Sequence, residues 1–555
     1  MTFKNVSLAL FTLLFVSACT SQRLVQPIAD SSAELESGHH QLEYIMTAEL
    51  RNSTLENTLQ FKSLFHSDDL SRIDLLTQVL LATDNDLLLA DADFYRVFDI
   101  VDDHQSEHSK SFAVALSSFI IRQDFQCIRP LYAHYFSNRY GIKISENECN
   151  TKLPIHLTSN LTTQSELNID VNRVSAIHIL FAGSGEGIVS RFGHISLRLI
   201  VCPEHDLSED ACNSNLFEHI VLGYRAHVDE FKLDPWQGLV GGYDAYLFAH
   251  DFIDTYQEYA IGEFREIYSL PLKMTQQQRN LLLRNLIDIH WGFAGDYKFL
   301  TNNCTTLLQT ALLNSAPDFF VDPSLAQSYW RPDNFFKALT SSQLTESYKL
   351  EDLDLAEQEG YYFSSTLPIY QQALESVNLH LTDTGFKDID SYINSNPEVR
   401  FNKAMTDDAY YFMLQHNSKL LSAQILLEEL SIVKYQRWLA VELATYFQEN
   451  DIKTISKHMK MGLSEQQFLD YKQCLLLPVL GTIKPIRRQY GIPQRVTENV
   501  DNNRCKSAKV KQNLSVVRVQ LNEFSPQQWQ TVERIFRYWL SSINNVDAYI
   551  EMESL

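Results

Sequence analysis

The chain contains one cysteine that spacing leaves without a near neighbour, and this residue is the first candidate for chemistry. Six of the eight cysteines form neighbouring pairs: Cys127 with Cys149, Cys202 with Cys212, and Cys474 with Cys505. In an oxidising compartment such neighbours are expected to form disulfides. Cys19 belongs to an N-terminal lipidation pattern, so Cys304 remains as a free thiol. A free thiol in an exported protein is either buried and inert or chemically used.

The residues around Cys304 indicate a nucleophile at the start of a helix. Asn302 or Asn303 is suited to cap a helix whose apolar face includes Leu307 and Leu308. Cys304 then lies in the first turn, where free amides and the helix dipole stabilise a thiolate. A thiolate that attacks an acyl carbon also needs a base, usually a histidine oriented by a third polar group.

His194 is the candidate base. Residues 190–199 alternate apolar and polar side chains, which predicts a strand with His194 near its accessible start. Ser190 and Arg191 precede it and are placed to bind a carbonyl or phosphate of a substrate. The backbone amide of Cys304 is a candidate donor to an oxyanion.

The elements that position these residues follow from the hydrophobic periodicity. Residues 39–170 and 333–555 carry apolar residues at helical spacing, whereas residues 171–332 contain short β-rich runs and glycine turns. Thr275 and Gln278 form a capping-box pattern that predicts a helix through Ile289. We therefore predict an α+β protein in which a central catalytic domain lies between two mainly helical domains.

The N-terminus has the pattern of a lipoprotein signal. Lys4 precedes an apolar run that is too short to span a bilayer, and the run ends in Ser17-Ala18-Cys19. We expect a signal peptide at 1–18, acylation of Cys19 and a lipidated tether at 19–38. Two or three acyl chains anchor a protein stably. Because no Asp follows Cys19, we expect the periplasmic face of the outer membrane.

Charge and motif content restrict the partners. The formal net charge of −23 argues against nucleic acid, which requires basic surfaces. The sequence contains no HExxH motif, no paired CxxC motif and no EF-hand loop, so we expect neither a metal nor a cofactor. The expected partners are the membrane, through the anchor, and an acyl-bearing lipid or lipoprotein substrate.

Two sequence blocks carry a family resemblance. SRFGHISLRL at 190–199 and TNNCTTLL at 301–308 resemble, in order and separation, the family that contains the periplasmic domain of the lipoprotein transacylase Lnb. The resemblance covers roughly Glu56 to Pro332. A histidine that precedes the cysteine is similar to the circularly permuted NlpC-type papain fold. The resemblance implies that Cys304 is the nucleophile and His194 the base.

The resemblance leaves the third catalytic group open. Related sequences have an Asn on the strand after a Tyr, and counting from Tyr224 reaches His227 in this chain. His219 lies on the same strand face and is the alternative. Tyr243 and Asn303 are expected to contribute to substrate binding.

The function implied by the resemblance is acyl transfer or hydrolysis through an acyl-enzyme on Cys304. The expected donor is a fatty-acyl ester of a lipoprotein or phospholipid. A second hypothesis keeps the chemistry but makes the substrate a cell-wall peptide. A third hypothesis is a non-catalytic envelope scaffold.

Overall fold

The computed structural model describes residues 76, 115–141, 144, 149–157, 165–185, 190–227, 243–293, 295–298, 301–381, 385–450, 452–476, 491–492 and 508–553. The predicted signal peptide, the tether with Cys19, and Cys505 lie outside these residues. Of Ser190 and His227 only the backbone is described. Within the described ranges, no helix combines the length and the apolar character needed to cross a bilayer.

A nine-stranded sheet occupies the middle of the protein. Its strands are β1 Lys152–Leu157, β2 Ser165–Asp170, β3 Val174–Ala182, β4 His194–Val201, β5 Ile220–His227, β6 Tyr243–Asp251, β7 Ile267–Pro271, β8 Gly295–Tyr297 and β9 Tyr362–Phe363. The order is β2-β1-β6-β5-β4-β3-β7-β9, and β8 pairs with β6. The β1–β6 pair is parallel, and the other described pairs are antiparallel. The sheet therefore extends beyond the central domain expected at 171–332 on both sides.

The two faces of β4 are buried differently. Ile195, Leu197 and Leu199 belong to a large apolar cluster, which we call the main core. His194 and Ser196 alternate to the opposite face. The helix that begins at Cys304 packs on β4 and β5 and contributes to the main core.

The helices associated with the sheet are short, with one exception. They are α1 Phe125–Ile128, α2 Pro130–Tyr140, α3 Glu209–Ser214, α4 Phe252–Tyr256, α5 Gln276–Gly292, α6 Cys304–Ser315, α7 Pro332–Ser341 and α8 Leu353–Gln358. The predicted capping box is present at the start of α5: the Thr275 side chain accepts from the Gln278 amide, and the Gln278 side chain accepts from the Thr275 amide. The helix continues past Ile289 to Gly292.

The C-terminal part of the described chain is helical. Its helices are α9 Leu367–His380, α10 Ile389–Asn394, α11 Pro397–Thr406, α12 Asp408–His416, α13 Ser418–Glu449, α14 Ile452–Gly462, α15 Glu465–Tyr471, α16 Ala508–Phe524 and α17 Pro526–Glu553. They bury two apolar clusters of their own, and α13 packs along α17. The protein thus combines a sheet region, formed by the nine strands and α1–α8, with a helical region, formed by α9–α17. This combination agrees with the predicted α+β class.

Disulfides join Cys127 to Cys149 and Cys202 to Cys212. Cys474 is also disulfide-bonded. Among the described residues, the free cysteine is Cys304, and it is buried.

Candidate functional site

Asn303 fixes Cys304 as the first residue of α6. The Asn303 Oδ1 atom accepts from the amides of Thr305 (2.9 Å) and Thr306 (3.4 Å), and the Thr306 hydroxyl accepts from the Asn303 amide (2.8 Å). The Asn303 Nδ2 atom donates to the carbonyl of Trp330 (2.8 Å). Asn303 is therefore the N-cap, one of the two caps that the sequence allows. Its amide, expected to bind substrate, is engaged in the cap and with Trp330.

Hydrogen-bond donors surround the Cys304 thiol, which is only 6% exposed. The sulfur accepts from the amide of Ile195 and from the Tyr297 hydroxyl, and the Thr305 Oγ1 atom lies 3.9 Å from it. Burial raises the pKa of Cys304, while these hydrogen bonds act in the opposite direction. The thiol is therefore protonated at rest, and the charge that develops on sulfur during an attack would meet donors already in place.

Tyr297 is a residue of the site that sequence reasoning missed. It ends β8, where it is aligned with Tyr243 of β6. Its hydroxyl accepts from the amide of Cys304, and burial raises the pKa of Tyr297 well above its usual value. The phenol therefore stays protonated and bridges the amide and the sulfur of the same cysteine. The Cys304 amide, expected to bind an oxyanion directly, is occupied by this phenol.

A glycine determines how the chain reaches His194. Gly193 has a φ of +89°, and a Cβ atom there would lie 2.5 Å from the Phe181 ring and 2.7 Å from the Ala182 carbonyl oxygen. Only glycine fits this position without a shift of the backbone. The His194 ring then packs against Tyr259, with the ring centroids 5.7 Å apart.

The His194 imidazole is held in the neutral form. Burial of the ring, together with the charges of Arg225 and Arg265, lowers the pKa of His194 to about 3, while the charge of Glu258 acts in the opposite direction. Gly223 of β5 lies next to the ring: a Cβ atom there would lie at an ordinary 3.7 Å from the His194 Nε2 atom and at a tight 3.1 Å from the Ser196 Cβ atom. A neutral imidazole is the form that accepts a proton.

The two predicted catalytic residues approach each other at one end of the sheet but are not hydrogen-bonded. The Cys304 sulfur binds the amide of Ile195, the residue that follows His194. The imidazole projects away from the main core that contains Cys304, and no hydrogen bond joins the two side chains among the described contacts. Tyr259 contacts the His194 ring on the side away from the main core.

This geometry lies inside a recognised family segment. Residues 162–340 match the family model of the Lnb N-terminal periplasmic domain. The Lnb-type segment runs from β2 into α7 and contains both His194 and Cys304. The resemblance indicated by the two sequence blocks is thereby confirmed for residues 162–340, and the periplasmic character of that family fits a periplasmic location. Searches among curated proteins and among solved structures found no match.

Within the Lnb-type segment, the two candidates for the third group lie at opposite ends of β5. His219 precedes the strand; its Nε2 atom donates to the Cys212 carbonyl (2.8 Å) and its Nδ1 atom accepts from Arg198 (2.8 Å). This engagement leaves His219 unable to orient His194. His227 is the last residue of β5 and lies at the same end of the sheet as His194.

The predicted substrate-binding residues divide between surface and core. Ser190 and Arg191 lie in the single 3-10 turn that precedes β4, and Arg191 is exposed. Tyr243, expected to line the cleft, is 3% exposed and belongs to the main core. Alternation along β6 explains this burial, because Tyr243 shares its strand face with Ala245 and other core residues.

An aromatic pair in the Lnb-type segment lies beside both halves of the site. Phe192, just before His194, packs edge to face on Trp330, with the ring centroids 5.5 Å apart. Trp330 is 42% exposed, and its carbonyl is bound by Asn303. The Arg331 guanidinium lies 4.4 Å from the centroid of the Phe192 ring. The pair thus offers apolar surface next to a cation.

Proposed function

We propose that the Lnb-type segment is a thiol acyltransferase or hydrolase in which Cys304 forms an acyl-enzyme. The observation that supports this most directly is the convergence on one buried sulfur of the Ile195 amide, the Thr305 hydroxyl and the Tyr297 hydroxyl. A structural cysteine in an apolar core requires no such donors. Donors fixed in advance stabilise the negative charge that forms when a thiol attacks.

In the proposed reaction, the Cys304 sulfur attacks an ester carbonyl carbon while its proton passes to the neutral His194 imidazole. The carbonyl oxygen gains the negative charge, and its proposed donor is the Tyr297 hydroxyl, which donates to the sulfur before the attack. Collapse of the intermediate breaks the ester C–O bond, and the departing alcohol takes the proton from His194. The thioester on Cys304 is then attacked by an amine or by water, which restores the thiol.

The proposal requires the imidazole to reach the sulfur when substrate is bound. Catalytic hydrogen bonds are often long or absent in a free enzyme and form only in its complex. The Cys304 sulfur already binds the amide of Ile195, the residue next to His194. The imidazole would therefore have to turn from one face of β4 to the other at the start of the strand. We further propose that the strand histidine and the helix cysteine correspond to a permuted papain-like pair of the NlpC type, with His227 as the orienting group.

The aromatic pair favours an apolar acyl donor. Phe192 and Trp330 place an apolar surface at the site, and a fatty-acyl chain is the substrate part that such a surface binds. Arg191, which is exposed in the turn before β4, supplies a cation for a phosphate group, whereas Arg331 is paired with Asp333. We therefore propose an acyl ester of a phospholipid or lipoprotein as the donor.

We also propose that Cys19 is acylated and holds the chain on the periplasmic face of the outer membrane. An anchor of two or three chains would keep the site near its acyl substrates. The proposed division of the chain is a signal peptide at 1–18, a lipidated tether at 19–38, and N-terminal, central and C-terminal domains at 39–170, 171–332 and 333–555. Metabolic labelling with an alkyne fatty acid tests the anchor: Cys19→Ser should lose both the label and the membrane fraction, and a labelled Cys19→Ser protein would contradict it.

The test of the catalytic proposal is acyl-enzyme trapping. The signal-free protein is mixed with phosphatidylethanolamine vesicles or with a diacyl lipopeptide, and the intact mass is measured before and after hydroxylamine. We expect a hydroxylamine-sensitive acyl adduct that is absent in Cys304→Ser and His194→Ala. It should persist in His205→Ala, which removes an exposed histidine outside the site.

Two other outcomes would replace the proposal. If the protein ignores acyl lipids and cleaves cell-wall stem peptides, the substrate is a peptide. If the Cys304 thiol is alkylated no faster than a cysteine in a model peptide, and His194→Ala does not change that rate, the protein is not a thiol enzyme. The hypothesis of a non-catalytic envelope scaffold then replaces the proposal.

A further inference from the structure

The turn that supports the His194 ring has an uncommon geometry. After α4 the chain continues as a π-helical turn, Gln257–Gly262. Turns of this type are rare and are frequent at functional sites. Within it, Tyr259 contacts the His194 ring, and Glu258 forms an ion pair with Arg225 of β5 (2.8 Å). The turn therefore brings both a ring and a charge to the neighbourhood of His194.

Arg265 holds Tyr259 from the sheet side. Its guanidinium lies 4.6 Å from the centroid of the Tyr259 ring and donates to the carbonyls of Ala182 (2.9 Å) and Gly183 (2.6 Å). The Arg265 amide donates to the Tyr259 carbonyl (2.8 Å). Tyr259 is therefore fixed between its own turn and β3, with its ring in contact with His194.

The helical region holds the same turn from the other side. Lys434 of α13 donates to the Gly262 carbonyl (2.7 Å), and the Thr366 hydroxyl donates to the Ala260 carbonyl (2.5 Å). Arg437 of α13 packs so closely that a Cβ atom at Gly262 would lie 2.1 Å from its Nη1 atom. The last carbonyls of the turn are thus bound by residues from the C-terminal part of the chain.

The residue just beyond the turn gives independent support. Phe264 has a φ of +55°, a left-handed conformation that is costly for a side chain of this size. Its carbonyl accepts from the Ser365 hydroxyl (2.7 Å), and its ring packs on Tyr370 of α9 with centroids 5.8 Å apart. Strained residues persist where their surroundings over-determine them, and they concentrate near functional sites. Here the helical region supplies the restraint.

We propose that the C-terminal helices are a positioning element for the site, in which Lys434 holds the π-helical turn that presents Tyr259 to the His194 ring. The catalytic meaning of this inference rests on the proposed function, in which His194 is the base. Lys434 and Tyr259 are positioning residues, because neither touches the reacting atoms. The helical region thereby has a proposed role in positioning the site, which the sequence alone does not indicate.

The groups that face His194 define the expected response. They are Arg225 from β5, Glu258 and Tyr259 from the turn, and Arg265 from the segment that follows. Loosening the turn admits water to the ring. Because burial is the main cause of its lowered pKa, the pKa of His194 should rise toward 6.5.

The experiment uses the full signal-free chain with ¹³C-labelled histidine. His194 is assigned with His194→Ala, and its titration is followed by NMR in Lys434→Met. Lys419→Met is the control, because Lys419 is exposed on the same helix. We expect a raised His194 pKa in Lys434→Met only, with partial recovery in Lys434→Arg. Alkylation of Cys304 at pH 7 should slow about tenfold, the equivalent of one charge-assisted hydrogen bond.

The outcomes separate this inference from the proposed function. A His194 titration that is identical in Lys434→Met and in the parent overturns the positioning role. A shifted titration in a protein that forms no acyl-enzyme keeps the positioning role while the proposed function fails. If Lys434→Met does not fold, Thr366→Val removes another donor to the same turn and is read in the same way.

Discussion

The candidate site and the helical region bury polar groups in different ways. In the helical region, Arg400 and Glu428 form a buried ion pair with contacts of 2.9 and 3.0 Å, and the Tyr392 hydroxyl donates to the same carboxylate (2.9 Å). At the candidate site, Cys304 is buried and His194 is half-buried, and both are neutral groups. A saturated ion pair fixes a structure, whereas neutral groups with suppressed ionisation can still exchange a proton. The contrast agrees with the proposal that Cys304 and His194 carry the chemistry.

His290 of the sheet region is a second example of a histidine that its surroundings keep neutral. The His290 Nδ1 atom donates to the Leu247 carbonyl (2.8 Å), and its Nε2 atom accepts from the His156 amide (3.1 Å). If the Nε2 atom of His290 also took a proton, that proton would face the His156 amide, which is itself a donor. Burial accordingly lowers the pKa of His290 to about 4.

The largest expected effect tests the ion pair. Glu428→Ala leaves the buried Arg400 charge without its carboxylate, and we expect a loss of about 3–5 kcal/mol in the free energy of unfolding. Urea titration followed by circular dichroism measures it. Glu375→Ala, on the exposed face of α9, is the control and should change little. A loss in Glu428→Ala no larger than in the control would remove the contrast between the regions.

The next effect is a dependence of stability on pH. Burial holds the folded pKa of His194 and His219 at about 3 and that of His290 at about 4, and places that of His178 well below 6.5. The unfolded chain therefore binds protons that the folded chain excludes, so stability is complete above 6.5 and falls as the pH drops toward these values. Each histidine contributes about 1.4 kcal/mol per pH unit in this window.

Urea unfolding at pH 7, 6 and 5 measures this dependence. Asp288 opposes the trend, because burial raises its pKa to about 6, but it is one carboxyl group against several histidines. A stability that stays constant between pH 7 and pH 5 would mean that the buried rings are protonated in the folded protein.

A smaller effect concerns the entry of the chain into β4. Gly193→Ala forces a side chain into a left-handed conformation and against the Ala182 carbonyl, and we expect a loss of about 1–3 kcal/mol. The displaced His194 should also change the rate of Cys304 alkylation. Gly183→Ala is the matched control, since its new Cβ atom would lie at an ordinary 3.5 Å from the Glu266 carbonyl oxygen. Equal stability of the two variants would contradict the proposed role of Gly193.

The smallest effect concerns the donor to the sulfur. Tyr297→Phe removes the phenol that donates to Cys304, so the thiol pKa should rise and alkylation at pH 8 should slow, by the equivalent of about 1 kcal/mol. Rates measured from pH 7 to pH 10 separate a changed pKa from changed access. Tyr243→Phe, at the aligned position of β6, serves as the comparison. An unchanged profile in Tyr297→Phe would exclude the phenol as a donor.

The sequence predicts local features of the site well. Alternation predicts β4, the capping pattern predicts α5, and the position of Asn303 before an apolar stripe predicts a cysteine at a helix start. These inferences depend on neighbours in the chain, and periodicity reports such neighbours directly.

The rest of the site depends on tertiary contacts that periodicity does not report. Tyr297 lies in a strand of three residues, too short for a recognisable pattern, and reaches Cys304 only because β8 pairs with β6. Tyr259 follows a helix and contacts His194 through a turn that no residue pattern specifies. Alternation also shows that two residues share a face without showing which face is buried, which explains why Tyr243 was expected in the cleft and lies in the core.

The burial of Cys304 also bears on how the protein matures where thiols are oxidised. Thiol–disulfide exchange requires direct access to the sulfur, so a free thiol among several other cysteines can mispair for as long as it is exposed. The pairs Cys127–Cys149 and Cys202–Cys212 are close in sequence and precede Cys304, so each can close locally before α6 is made. When α6 docks on β4, it covers the Cys304 sulfur. Packing of one helix thereby decides which cysteine keeps its thiol.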